Sequence, residues 1–270
     1  MRILWTLLFL LIPVLGVVVF VLAGLAPGAW LPEGVSTIGE DIDFLFYLIL
    51  AITGFFFVVT EVLLVYAMFT ARGQPDGKAA FIHGNYTLEI GWTVMTAIIL
   101  VFVAFYQIPV WARAKMDQPE KEPDALVTAS QFLWQVRYPM WDAATNRPKP
   151  LNTKNPSLAE SFELVNEMHV PANEKVLVHL TTRDVIHSFW IPAARVKQDA
   201  LPGHIIPVWF DLNKPGEYEF VCAELCGWGH YRMRAKVVVH PSREDYERWL
   251  QAKTAEVIQG AQKSGSGAGR

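Results

Sequence analysis

Residues 222–233 read CAELCGWGHYRM, so Cys222, Cys226, His230 and Met233 fall within twelve residues. Thiolate and thioether sulfurs are soft ligands, and imidazole suits copper and zinc. Methionine is not a usual zinc ligand, so the pattern favours copper. The two cysteines are the only ones in the 270-residue sequence. They can form one local disulfide or one metal site, but not a disulfide scaffold.

A copper site of this kind needs a histidine from another part of the chain. His187, in the segment DVIHSFW, is the best candidate, because the aromatic residues that follow it can shield a site from water. His204, in a Pro-Gly turn, is the competing candidate. Two thiolates can bridge two copper ions, which favours a binuclear centre. A Cys222–Cys226 disulfide, a mononuclear zinc site and a single-copper site are the alternatives.

The cysteine-bearing stretch lies in a region of short apolar runs separated by turn residues. The runs cover 131–138, 161–169, 175–181, 205–211, 217–222 and 233–239. Runs of this length with turn signals between them predict an all-β sandwich or barrel over residues 118–241. An amphipathic helix is predicted over 242–258, with Tyr246, Trp249, Leu250 and Val257 on its apolar side. The Gly/Ser/Ala-rich residues 259–270 predict a disordered tail.

The first 113 residues carry most of the apolar excess of a chain that is 52% hydrophobic and 18% charged. Residues 44–69 and 90–112 are long enough to cross a bilayer, which predicts a transmembrane hairpin over 43–113. Residues 1–26 contain a third apolar segment, which is either a signal peptide or a first transmembrane helix. Glu61 lies at hydrocarbon depth, where a carboxylate is a candidate functional group; the favoured interpretation is a contact with a partner helix or a group that reaches the interface.

Charge at the ends of the apolar segments predicts their orientation. The loop 70–89 contains Arg72 and Lys78, whereas the acidic segment before the second span has no lysine or arginine. The positive-inside rule therefore places this loop in the cytoplasm and the C-terminal domain outside. The net charge is only −3, and no basic cluster indicates nucleic-acid binding.

The motif residues resemble subunit II of the haem–copper cytochrome c oxidases. The family pattern C-x-E-x-C-G-x-x-H-x-x-M is present at 222–233, and D-V-x-H-S is present at 184–188. The resemblance covers roughly residues 40–255. It implies a membrane hairpin followed by a cupredoxin-like Greek-key barrel on the outer face.

The resemblance also assigns roles at the metal site. Cys222 and Cys226 would bridge two copper ions, and His187 and His230 would each bind one of them. Met233 would ligate one copper, and the backbone carbonyl of Glu224 would ligate the other. The Glu224 side chain would reach a magnesium ion at the boundary with another subunit.

Glu89, in the segment LEIGWT, matches the family carboxylate at the entrance of a proton pathway. The alternative is helix capping, because a carboxylate at a helix N-terminus is favoured by the helix dipole.

The function implied by the resemblance is electron transfer into a respiratory terminal oxidase of the bacterial plasma membrane. Electrons would come from a c-type cytochrome or similar donor and pass to a large haem-containing catalytic subunit that reduces oxygen. No C-x-x-C-H motif for covalent haem is present, so no haem is expected in this chain. The alternatives are a subunit of a copper-containing nitric oxide reductase and a membrane-anchored copper-binding protein without turnover.

The point where electrons enter is less well defined by the motifs. The family's Q-W-x-W appears here as QFLW, residues 131–134. We expect electrons to enter near Trp134, with Phe132 and Trp141 as an apolar docking patch, unless strand alternation turns Trp134 into the core. Arg183 stands where the family often has an acid. Residues 117–270 hold 19 acidic and 18 basic side chains, which predicts weak salt dependence and leaves the donor undefined.

Overall fold

The computed structural model describes residues 2–25, 28, 30–70, 83–157 and 159–267. The helices are α1 (Arg2–Gly24), α2 (Thr37–Thr70), α3 (Tyr86–Lys115) and α4 (Arg243–Gly267). The strands are β1 (Ala125–Ser130), β2 (Leu133–Pro139), β3 (Trp141–Asp142), β4 (Arg147–Pro148), β5 (Ser161–Val165), β6 (Glu167–Pro171), β7 (Val176–Thr182), β8 (His187–Ile191), β9 (Val196–Ala200), β10 (Ile206–Phe210), β11 (Gly216–Cys222) and β12 (Arg234–His240). Two compact units result, one from residues 1–32 and 41–111 and the other from 33–40 and 112–270.

Helices α1, α2 and α3 are each long and apolar enough to cross a membrane. The predicted hairpin is confirmed, and α2 and α3 extend a few residues beyond both ends of the predicted spans. The hydroxyl groups of the threonines inside α2 donate hydrogen bonds to carbonyls of the preceding helical turn. The Thr53 hydroxyl, for example, donates to the Ile49 carbonyl at 2.9 Å. Helix α1 occupies the segment predicted as a signal peptide or first transmembrane helix. Arg72 and Lys78 of the predicted cytoplasmic loop lie outside the described residues.

Glu61 lies within α2 and lines an apolar cavity together with residues of α1 such as Pro13 and Val14. Its Oε2 is buried and has no hydrogen-bond partner among the described residues. The interpretation of Glu61 as a packing contact stays a prediction.

The second unit is a sandwich of two five-stranded sheets. One has the order β10-β7-β1-β2-β5 and the other β6-β12-β11-β8-β9. Alternate residues of β2 are buried, including Trp134, Val136 and Tyr138, because successive side chains on a strand point to opposite faces. They join Phe189 and Phe220 of the other sheet in one core. The predicted fold class, membrane helices followed by an all-β cupredoxin-like domain, is confirmed.

Residues 33–40 belong to the sandwich unit, although the rest of that unit begins only at residue 112. The Val35 N–H donates to the Ala193 carbonyl at 2.9 Å, and the Asn213 N–H donates to the Val35 carbonyl at 2.8 Å. The Val35 side chain is buried, and the Ser36 hydroxyl donates to the Ala194 carbonyl. The sequence gives no sign of this contact, so the predicted domain 118–241 lacks one of its segments.

Helix α4 begins after Ser242, whose hydroxyl accepts the Asp245 N–H at 3.1 Å as an N-cap. Its predicted apolar side packs on the sandwich, with Tyr246 and Leu250 buried and Trp249 and Val257 partly buried. The predicted end at residue 258 differs from the structure, because α4 continues to Gly267. The segment AQK within the predicted tail consists of good helix formers, which lets the helix propagate beyond its packed turns. Residues 268–270 lie outside the described residues.

A pair of hydrogen-bonded histidines joins α4 to the second sheet. His169 Nδ1 lies 2.9 Å from His240 Nε2, and His169 Nε2 lies 2.8 Å from Glu167 Oε1. The Trp249 ring stacks on His169 with centroids 4.0 Å apart. Burial lowers the pKa of His169, although Glu167 opposes the shift, and burial together with the His169 charge lowers the pKa of His240.

Acidification should therefore weaken the attachment of α4. Histidine in the unfolded chain titrates at about pH 6.5 and takes up protons before the folded chain does, so stability falls as the pH drops below that value. We expect the unfolding temperature of the full chain in detergent to fall between about pH 7 and about pH 5.5. In His169→Phe, which can stack on Trp249 but cannot titrate, the fall should be smaller. His204→Phe, at an exposed position, is the matched control, and equal slopes in all three proteins would contradict the assignment.

Candidate metal centre

Three neighbouring strands of the second sheet bring the predicted ligands together. His187 is the first residue of β8, and Cys222 is the last residue of β11. The chain then loops through Cys226, makes a 3₁₀ turn at His230–Arg232 and reaches Met233 directly before β12. Because β11 pairs with both β8 and β12, these residues meet at one end of the sheet.

The donor atoms converge in two linked sets around the two sulfurs. Cys222 Sγ and Cys226 Sγ are 3.8 Å apart. His187 Nδ1 lies 3.8 Å from Cys222 Sγ, and the Glu224 carbonyl oxygen lies 3.1 Å from the same sulfur. His230 Nδ1 lies 3.7 Å and Met233 Sδ 3.9 Å from Cys226 Sγ. Each sulfur therefore has its own imidazole and one further weak donor.

The site is closed to water on its inner side. His187 is 0% exposed, Met233 1%, Cys226 4% and Cys222 7%. Burying so many ligand atoms without a counter-charge is costly, which favours a bound cation. The separation of the sulfurs also suits a metal. It exceeds a disulfide bond of about 2.05 Å, while two metal–thiolate bonds of about 2.3 Å each can span it.

The two cysteines differ in acidity. Burial raises the pKa of Cys222, but hydrogen bonds, first of all with His187, outweigh burial and bring the pKa to about 6. Burial and the neighbouring Cys222 sulfur raise the pKa of Cys226 to about 12. Without a metal, a second negative charge on Cys226 is therefore unfavourable. A cation that ligates both thiolates neutralises this charge and allows both cysteines to lose their protons.

Asp184 supports the site from behind His187. Its Oδ1 lies 2.8 Å from His187 Nε2, which leaves Nδ1 free to face the sulfurs. The same carboxylate accepts the backbone N–H groups of Gln131 and Val185 at 2.7 Å each. A carboxylate that binds the far nitrogen of a ligand histidine fixes its orientation and raises its basicity. Sequence reasoning did not single out Asp184, although the DVIHS segment contains it.

The loop between the ligands depends on glycine at two positions. Gly227 has φ +137°, and a Cβ there would lie 3.1 Å from the Phe132 ring. A Cβ at Gly229 would lie 2.5 Å from the same ring. Phe132 therefore lies directly on the loop backbone, and the Gln131 side-chain amide donates to the Cys226 carbonyl at 2.6 Å. These contacts hold the ligand loop against the first sheet.

The structure corrects the expected position of Trp134. Its side chain is 0% exposed and packs against His187, Phe189 and Phe220, so it cannot form part of a docking surface. Truncation to alanine would cost about 3–5 kcal/mol of stability and would report on folding. Phe132 and Trp141 are half-buried, and only Phe132 contacts the ligand loop. His204 lies in an exposed turn and is not among the converging donors.

The fold and the site together define a copper-binding domain on a membrane anchor. Residues 24–110 match the family described as the transmembrane domain of cytochrome c oxidase subunit II, and residues 126–240 match the family described as its periplasmic domain. The chain belongs to the cytochrome c oxidase subunit II family. It is the subunit through which electrons enter the oxidase, and the predicted family and function are confirmed.

Individual relatives agree with this assignment. The chain is 30% identical to a cytochrome c oxidase subunit 2 of Thermostichus vulcanus, an alignment that covers 83% of this chain and 79% of that protein. It is also 30% identical to an alternative cytochrome c oxidase subunit 2 of Bradyrhizobium diazoefficiens, with 94% of each chain covered. A crystal structure of the periplasmic domain of subunit II from Bradyrhizobium japonicum is 29% identical, with a TM-score of 0.39. That match covers 52% of this chain and 98% of the other.

Replacing Asp184 tests its influence on the copper site. Asp184→Asn removes a negative charge but keeps an oxygen that can accept from His187 Nε2. The less basic imidazole should stabilise oxidised copper less, so the reduction potential should rise while the copper content stays unchanged. Redox titration of the visible absorption of the assembled oxidase measures this. Asp142→Asn, which makes the same charge change at a partly exposed position of β3, is the control, and an equal shift in both variants would contradict a specific role.

Proposed function

We propose that the outer domain holds two copper ions as one electron-transfer centre. Cys222 and Cys226 bridge both ions, and His187 and His230 each bind one through Nδ1. Met233 completes one coordination set, and the Glu224 carbonyl completes the other. The observation that carries the proposal is the pairing of each sulfur with its own imidazole at 3.7–3.8 Å, because a single metal ion does not need two separate sets.

Two copper ions held by these residues would supply a centre that takes up and gives up one electron at a time. The protein's contribution is to hold every donor atom nearly still, since small movements of the ligands keep the barrier to electron transfer low. His187 is fixed by Asp184, and the ligand loop is fixed by Phe132 and Gln131. Burial of the sulfurs also protects the thiolates from oxidation, which depends on exposure.

The route proposed for the electrons runs from a soluble or tethered donor, a c-type cytochrome or similar protein, to a haem in the catalytic subunit. A chain with candidate spans at α1, α2 and α3 and one copper domain needs this large partner to reduce oxygen. The Glu224 side chain is exposed, which supports a role in binding magnesium at the boundary with that subunit. We place the protein in the bacterial plasma membrane with its copper domain on the periplasmic side, supported by the charge distribution around the hairpin.

Glu89 is proposed as the entrance of a proton pathway. It lies in the first turn of α3 and is exposed. Its Oε1 also accepts the Asn85 N–H at 3.2 Å, while the Asn85 side chain accepts the Leu88 N–H at 3.2 Å. The carboxylate therefore takes part in a cap at the helix N-terminus. A capping carboxylate is still free to exchange protons with water, so the two roles must be separated by experiment.

The bridging role of Cys222 can be tested by metal analysis. Cys222→Ser removes one soft bridging ligand, so we expect the oxidase to lose its mixed-valence electron paramagnetic resonance signal and at least one copper per chain. Met233→Leu conserves volume and removes only a weak ligand. It should retain two coppers with an altered spectrum. A wild-type content of one copper, or zinc in the native protein, would exclude the binuclear centre.

The proton pathway can be tested by comparing two variants of the α3 cap. Glu89→Gln retains a hydrogen-bond acceptor but cannot carry a proton, so oxidase turnover should slow by about tenfold or more, as when a proton-transfer group is lost. Asn85→Ala removes the cap and keeps the carboxylate, so turnover should remain near the wild-type rate. The copper spectrum should be unchanged in both. Equal turnover in the two variants would show that Glu89 acts only as a capping residue.

A further inference from the structure

Helices α1 and α2 border a groove that consists of two adjoining cavities. One cavity has a volume of about 330 Å³ and has Glu61 in its wall, and the other has a volume of about 540 Å³. Val17, Phe57 and Val58 line both cavities, so together they form one groove, which we call the α1–α2 groove. A Cβ at Gly54 in its wall would meet no atom within 4 Å. Closely packed helices leave much less room between them, so the groove has space for a ligand.

The groove follows both helices over several turns. On α2 it extends from Leu50 to Val65, and on α1 it extends from Phe9 to Val21. At a rise of 1.5 Å per residue these stretches correspond to a length of about 20 Å. The α1–α2 groove can therefore hold an extended apolar tail that carries a small head at one end.

Two hydrogen-bond acceptors belong to the end of the groove that contains Glu61. Glu61 Oε2 is buried and has no hydrogen-bond partner in the described part of the chain. On α1, Pro13 has no N–H, so the Phe9 carbonyl lacks the donor that an unbroken helix would supply. Phe9 and Pro13 line the same cavity as Glu61. Acceptors without a donor are costly in hydrocarbon, so a well-matched ligand supplies hydroxyl donors at this end of the groove.

The depth of Glu61 excludes a phospholipid head as the source of these donors. Glu61 lies about 14 Å along α2 from the end of the helix at Thr70, and about 7 Å from the middle of the predicted span 44–69. The hydrocarbon layer is about 30 Å thick, so its boundary lies about 15 Å from the middle. A phospholipid head stays at that boundary, and a carboxylate would repel its phosphate. The donor groups therefore belong to a small head that dissolves in the membrane.

We propose that the α1–α2 groove binds a membrane-soluble hydroquinone, with its ring beside Glu61 and its apolar tail along the groove. A hydroquinone carries two hydroxyl donors on one small ring, which matches the two acceptors. Phe9 and Phe57 line the cavity at this end and provide aromatic contacts for the ring. Apolar walls with a few polar groups that fix orientation are typical of small-molecule sites. The proposal concerns binding alone and does not depend on the copper centre.

The site requires that α1 is retained in the mature protein. One wall of the groove belongs to α1, so removal of residues 1–26 as a signal peptide would remove the site. The intact mass of the subunit from the purified oxidase tests this directly. We expect a mass that includes α1, and a mass without residues 1–26 would overturn the proposal.

The binding experiment uses the assembled oxidase in nanodiscs of phosphatidylcholine, kept anaerobic and reduced so that the hydroquinone is not oxidised. The probe is tritiated decylubiquinol, and the control ligand is the same molecule with both hydroxyl groups methylated. Uptake by nanodiscs without protein is subtracted. We expect saturable binding of decylubiquinol. The methylated ligand should bind about tenfold more weakly or worse, because it cannot donate hydrogen bonds to the buried acceptors.

Variants then test the residues of the groove. Glu61→Leu should weaken binding of decylubiquinol about tenfold and remove the preference over the methylated ligand. Thr60→Val removes a hydroxyl from the neighbouring position, which does not line the groove, and should bind as the wild type does. Gly54→Leu adds bulk inside the groove and should abolish binding of both ligands. Ala51→Leu adds bulk to α2 outside the groove and should preserve binding.

Each failure has a distinct meaning. Equal uptake of the two ligands would show that the groove accepts any apolar chain, and wild-type affinity in Glu61→Leu would show that the carboxyl group takes no part. Loss of the catalytic subunit from the Glu61→Leu oxidase would assign Glu61 to a contact with a partner helix. Each of these results would overturn the hydroquinone site. The copper signal of the wild-type oxidase tests the proposed function separately.

Discussion

The structure depends on keeping two sulfur atoms 3.8 Å apart in a place that water does not reach. Two thiolates at this distance repel each other, and burial makes the repulsion stronger because the surroundings screen it poorly. Without a cation Cys226 therefore keeps its proton, and the strands β8, β11 and β12 hold the ligand side chains in place for a cation to bind. The sheet does this with backbone hydrogen bonds along its length, so the ligand loop itself needs little internal structure.

Much of this centre could be predicted because its ligands are close together in the sequence. One short loop contains four of the ligands, Cys222, Cys226, His230 and Met233. The soft sulfur donors among them already indicate copper. His187 was found by its motif, since spacing alone cannot say which distant strand lies beside β11. Asp184 was missed for a related reason. Its role depends on a hydrogen bond to His187, and the sequence does not show in which direction the imidazole ring points.

Features that depend on distant packing could not be predicted, whereas the burial of Trp134 could have been. Trp134, Val136 and Tyr138 alternate with the polar residues Gln135 and Arg137, which is the pattern of a strand with its Trp134 face buried. The segment around Val35 joins the sandwich through backbone hydrogen bonds, which have no sequence signature. The continuation of α4 beyond residue 258 could not be predicted either. The helix propensity of these residues is weak, so it does not distinguish the frayed end of a helix from a disordered tail.

Different side chains of the ligand loop face the inside and the outside of the domain. Residues 222, 226 and 233 point into the domain, and residues 225, 228 and 231 point out of it. A substitution at an outward position changes the surface presented to other proteins and leaves every donor atom in place. A lineage can therefore change the outer surface of this loop through single substitutions, without passing through an intermediate that has lost its metal ligands.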